Sequence, residues 1–119
     1  MAKSLVIMIT KPPFGSIHAA EAIRLANGAI SYGHEVTMVL IGDGIYTAKK
    51  DQKAEGAGWT SLGPLLEKLL SSGRAKVLVD ITSASKRGMI AKDLVAGVEL
   101  ADGSSVFSAM ANAERSTIF

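Results

Sequence analysis

Short runs of branched apolar residues, each followed by a turn and then by a stretch at helical spacing, predict an α/β fold. The expected form is a three-layer α/β/α sandwich around a mostly parallel four- or five-stranded sheet. Three observations carry this. Residues 5–9 (LVIMI), 36–41 (VTMVLI) and 76–80 (KVLVD) are apolar enough to be covered on both faces, as interior strands of a parallel sheet are. Alanine- or leucine-rich stretches stand between them and can serve as crossover helices. Glycine, proline or small polar residues close each run. Right-handed crossovers would place the carboxyl ends of these strands along one edge, where ligands of open α/β sheets bind.

In chain order, residues 5–9 form the first strand, and Pro12 and Pro13 end it because neither can donate to a ladder. Ser16 is positioned to cap a helix over residues 17–31, whose Ile23, Ala26 and Ile30 make a buried stripe and which Gly33 terminates. The strand over 36–41 breaks at Gly42-Asp43-Gly44, and residues 45–50 read as a short helix. Residues 51–59 are polar and glycine-punctuated, the pattern of a mobile surface segment. Pro64 suits the first turn of a second helix, on which Leu62, Leu65, Leu66, Leu69 and Leu70 form a broad apolar face before Gly73. A third strand, 76–80, leads into a loop over 82–87, then a short helix near 89–94 and a brief strand near 98–100. Asp102-Gly103-Ser104 opens a last helix with Val106, Phe107 and Met110 on one side, and residues 115–119 form a closing strand.

The chain has 119 residues, 48% hydrophobic and 20% charged, which fits one folded domain over residues 1–119 and excludes a disordered chain. A formal net charge of +2 with scattered Lys and Arg, and no aromatic-basic array, argues against nucleic acid as a partner. The apolar run at the start is too short for a signal peptide, and none is long enough to span a bilayer. A cytoplasmic protein without a membrane partner is therefore expected. The chain contains no cysteine, which removes disulfides, thiolate metal sites and cysteine nucleophiles. His18 and His34 lack a third ligand at metal-binding spacing, and Glu21 one turn from His18 is too little to make one. No metal and no cofactor are expected.

Three carboxyl-end segments bring forward the candidate ligand-binding residues: Lys11 and Ser16, then Asp43 and Tyr46, then Asp80, Thr82, Ser83, Lys86 and Arg87. Lys86 and Arg87 offer donors to an anion, and Asp80 can hold Arg87 or Lys11 in an ion pair. Asp80 is also the candidate catalytic group, as a general acid or base on a small anionic substrate. Gly42-Asp43-Gly44 departs from a Walker loop, and the first turn lacks the spaced glycines of a dinucleotide site. Binding of a nucleotide or phosphorylated ligand through Ser16, the Gly42 turn and Arg87 stays open as a further reading. Each of these polar residues has an ordinary alternative as a cap or solvated side chain.

Pro13-Phe14-Gly15, the helical 21–29 region, Gly42-Asp43-Gly44-Ile45-Tyr46 followed by Gln52, and the loop from Asp80 to Gly88 together resemble the DsrE/DsrF sulfur-relay superfamily over nearly the whole chain. The PFG and GDGIY segments are similar to its DsrF/TusC branch, and VDITSASKRGM to the segment around the sulfur-carrying cysteine of its DsrE/TusD branch. The resemblance implies a compact α/β fold, homo-oligomeric assembly and participation in sulfur transfer through a persulfide. The position resembling the sulfur-carrying cysteine is Asp80, and a carboxylate cannot store sulfane sulfur as a thiolate does. The expectation is accordingly a small oligomeric binding or accessory protein, not itself a persulfide carrier, whose cysteine-bearing relay partner supplies the thiol. Whether the chain is also an enzyme is left open by its sequence.

Overall fold

The computed structural model describes residues 3–14, 17–50 and 62–119. The elements run β1 (Ser4–Ile9), α1 (His18–Ser31), β2 (Glu35–Leu40), a 3-10 turn (Gly42–Ala48), α2 (Gly63–Ser71), β3 (Ala75–Asp80), α3 (Ile81–Lys86), a second 3-10 turn (Ala91–Asp93), β4 (Glu99–Ala101), α4 (Gly103–Asn112) and β5 (Arg115–Ile118). Five strands form one sheet in the order β4-β3-β2-β1-β5. Every pairing is parallel. The fold is thus the expected three-layer α/β sandwich, with five strands.

The strand order dictates the layers. From β1 through β2 and β3 to β4 the chain steps repeatedly in one direction, so right-handed crossovers keep α1, α2 and α3 on one face. The connection from β4 to β5 returns across the whole sheet and carries α4 over the opposite face. The core follows this division. On the first face Ile7, Ile9, Met38, Leu40, Val77 and Val79 meet Ile23 of α1, Leu66 and Leu69 of α2 and Ala84 of α3. On the second a smaller cluster of Val6, Val39, Leu78 and Ala101 packs under Val106 of α4. Alternation along each strand feeds the two clusters, which is why the interior strands read as continuous apolar runs.

Several boundaries depart from the sequence reading for local reasons. The segment expected as a loop over 82–87 is helix α3, because Asp80 caps it with its carboxylate accepting the Ser83 amide at 3.1 Å. Gly88, at φ 67, then ends it in the left-handed region. Helix α1 begins at His18 after Ile17, which supplies no side-chain cap; Ser16 lies outside the described residues. The short helices expected at 45–50 and 89–94 are 3-10 turns. The segment expected to be mobile, 51–59, and Gln52 also lie outside the described residues. Phe107 does not share the buried side of α4: it is 72% exposed whereas Val106 is 7% exposed, since one residue step rotates the side chain by about 100°.

Helix α4 has its own cap, the Asp102 carboxylate accepting the Ser105 amide at 2.8 Å. That bond, with a further contribution from the Ser105 side chain, holds Asp102 below its ordinary value. A depressed carboxylate contributes stability that is complete above its unfolded value and is lost as the pH falls through the folded one. Stability should therefore drop on acidification below about pH 4 more steeply in the native chain than in Asp102→Ala, measured by denaturant titration at a series of pH values.

Candidate functional site

The carboxyl ends of β1, β2 and β3 share one edge, and the turns that follow β2 and β3 are knitted together there. Gly42, at φ 60, turns the chain sharply out of β2, a conformation that disfavours residues with a Cβ. Gly44 then lies so close to the end of β1 that a Cβ would overlap the Ile9 carbonyl. The two glycines of the GDG motif thus have different causes, one conformational and one steric.

Four side chains or backbone groups are linked in series. The Gly42 amide donates to Ser83 Oγ at 2.9 Å, and the Ser83 hydroxyl donates to Asp80 Oδ2 at 2.7 Å. The same carboxylate oxygen accepts the Ser83 amide. Ser83 is 6% exposed, so its hydroxyl is a buried group with both an acceptor and a donor satisfied. Outside this chain of bonds, Arg87 spans the two turns. Its Nε and one terminal nitrogen donate to Asp43 Oδ1 at 3.2 and 3.1 Å, and its other terminal nitrogen donates to the Ser83 carbonyl at 3.2 Å. The Arg87 and Asp43 side chains are 26% and 58% exposed, so water screens this pair and its value is in orientation more than in energy.

Asp43, Asp80, Ser83 and Arg87 therefore come together, as the shared edge predicts. The pairing differs from the one expected: Asp80 turns inward to Ser83, and Arg87 takes Asp43 as its partner. The reason is geometric, since Asp80 is the residue before α3 and its carboxylate points back to the helix amides, while Arg87 about two turns later reaches across to the Gly42 turn. Tyr46 is half-buried against the larger core cluster. Lys11, Thr82 and Lys86 are exposed on the same edge. Glu21 pairs with Arg24 at 3.1 Å. His34 sits at the opposite end of the sheet, where its Nδ1 accepts the Lys3 amide. Among the described residues no three His, Asp or Glu side chains gather as metal ligands would. Thr47 is a polar residue that sequence pattern did not mark: it is fully buried, and its hydroxyl finds no partner among the described residues.

The arrangement joins two turns through Asp80 as much as it presents a reactive group. Asp80→Ala removes the α3 cap and leaves the buried Ser83 hydroxyl without its acceptor, with an expected loss of about 2 kcal/mol in denaturant titrations. Asp80→Asn retains an acceptor and should lose less than half as much.

Comparison with known proteins agrees with this architecture. A family model described as the DsrE/DsrF-like family matches residues 3–117. An uncharacterized protein of Methanopyrus kandleri is 33% identical over 97 residues, covering 82% of this chain and 78% of that protein. The intracellular sulfur oxidation protein DsrF of Allochromatium vinosum is 26% identical over 95 residues, covering 80% and 70%. Among solved structures, the YchN protein of E. coli superposes with a TM-score of 0.85 at 21% identity, over 100% of both chains. A protein of unknown function from Methanobacterium thermoautotrophicum gives 0.76 at 13% identity, over 98% and 99%. The match across residues 3–117 makes this chain a member of the DsrE/DsrF-like family.

Proposed function

We propose that the chain is a small homo-oligomeric accessory protein of a cytoplasmic sulfur relay, which binds a cysteine-bearing relay protein and does not itself carry the persulfide. One observation carries the reading: the residue standing where the resemblance has the sulfur-carrying cysteine is Asp80, and its carboxylate is committed to Ser83. The position keeps a structural task and has lost the chemical one, because a carboxylate cannot form or pass on a persulfide. The similarity to a protein named for intracellular sulfur oxidation supports the sulfur context. No helix among the described residues is long and apolar enough to cross a membrane.

Asp80 as a general base, or the Gly42 turn with Arg87 as a phosphate site, has less behind it. Asp80 Oδ2 is already taken up by the Ser83 amide and hydroxyl, and three of the five Arg87 N–H groups are already donated to Asp43 and the Ser83 carbonyl. Titration calorimetry of the purified chain against a cysteine-bearing DsrE-type protein, in its reduced and its persulfidated form, tests the proposal. Saturable binding of that protein is the expected result; heat of dilution alone with both forms would reject it.

A further inference from the structure

The face of the sheet opposite α1 and α2 is only partly covered. Five strands make a sheet about 24 Å wide, whereas the ten-residue α4 is about 15 Å long and some 10 Å across. Among the described residues there is no second helix on that side, where β4 to β5 is the crossover. Beside α4 this leaves a groove of about 630 Å³ over the sheet, whose lining reaches Ile81 and Ala101 next to Asp80. Val6 and Leu78 lie beneath it, the flank of α4 that borders it carries small side chains (Ser105, Ala109), and Lys76 and Glu99 stand in it.

We infer that this groove is a self-association surface, occupied by the same face of a second copy of the chain, with Lys76 of each copy set against acidic side chains of the other. The charges choose the occupant. Lys76 and Glu99 are both exposed on this face, and neither forms an ion pair or hydrogen bond with a described residue. A uniformly acidic partner would leave Glu99 opposed by like charge, and a uniformly basic one would do the same to Lys76. A second copy related by a two-fold axis brings both charges, so one contact satisfies each sign twice. The small side chains of Ser105 and Ala109 let a neighbouring element approach α4 closely, and Ile81 and Leu100, which line the groove and are 42% and 37% exposed, supply the apolar area that an ion pair in water lacks. This rests on the homo-oligomeric part of the proposed function and assigns it a surface.

The test is sedimentation equilibrium of the full chain and of Lys76→Glu, Glu99→Lys and the double exchange, with circular dichroism to verify that each exposed-site variant is folded. The native chain should associate, each single exchange, which misplaces two symmetry-related charge pairs, should weaken association at least about tenfold, or 1.4 kcal/mol, and the double exchange should restore most of it. An associating native chain whose single variants associate equally well overturns this surface while leaving the oligomer intact. Single variants that weaken without rescue overturn the reciprocal pairing. A native chain that stays monomeric overturns both this inference and the homo-oligomer it rests on, while relay-partner binding is decided separately by calorimetry.

Discussion

Gly44→Ala should be the most damaging alanine substitution at any described glycine. A Cβ at residue 44 would overlap the Ile9 carbonyl oxygen and lie 2.6 Å from its carbon and 3.2 Å from the Thr10 nitrogen. These are backbone atoms of the sheet. They cannot rotate aside as the end of a side chain would, and Ile9 is held in place because its carbonyl accepts the Ile41 amide at 3.0 Å. Relief would require the turn to lift off β1, which would also move Ile45 and Ala48, both fully buried, out of the core. A loss of at least about 3 kcal/mol is expected, at the upper end of overpacking costs. Gly42→Ala provides the control within the same motif. Its Cβ would meet open space, and only the positive φ opposes it, so about 1–2 kcal/mol should be lost. Urea titration of the two variants, with unchanged m-values, separates the steric cause from the conformational one.

Leu66→Ala should lose about 3–4 kcal/mol, within the usual range for deleting a large buried aliphatic side chain. Leu66 is fully buried in the larger core cluster, on the same face of α2 as Leu69, and both stand over the strands. Leu65→Ala, one step around the helix at a half-buried position, should cost well under half of that. Thermal or urea unfolding of the pair checks the orientation of α2. Equal losses would mean that the helix is turned differently on the sheet.

The parts of the fold that sequence makes legible are those whose cause is local or periodic. Branched apolar runs mark β1, β2 and β3, Pro64 marks the first turn of α2, and glycines at positive φ mark the ends of α1 and α2. Helix α3 is obscured because ITSASK begins with two β-branched residues and carries two serines, poor helix formers that depend on the Asp80 cap. The uncovered side of the sheet is hidden for another reason: it follows from the strand order, and pattern within a strand does not encode which strand lies beside it. The same limit governs the site. Shared carboxyl ends bring Asp43, Asp80, Ser83 and Arg87 to one edge, but the bond from the Gly42 amide to Ser83 joins residues 41 apart in sequence. Only the folded arrangement determines that Asp80 faces Ser83 and that Arg87 faces Asp43.

The proposed function divides the labour, with surface contributed by this chain and the thiol by its partner. Native mass spectrometry of the chain mixed with a cysteine-bearing DsrE-type protein, after incubation with a persulfide donor, examines that division in one spectrum. The account predicts a complex containing both proteins, with the mass of added sulfur on the partner alone. Added sulfur on this cysteine-free chain, or two proteins that fly separately at every concentration, would contradict it.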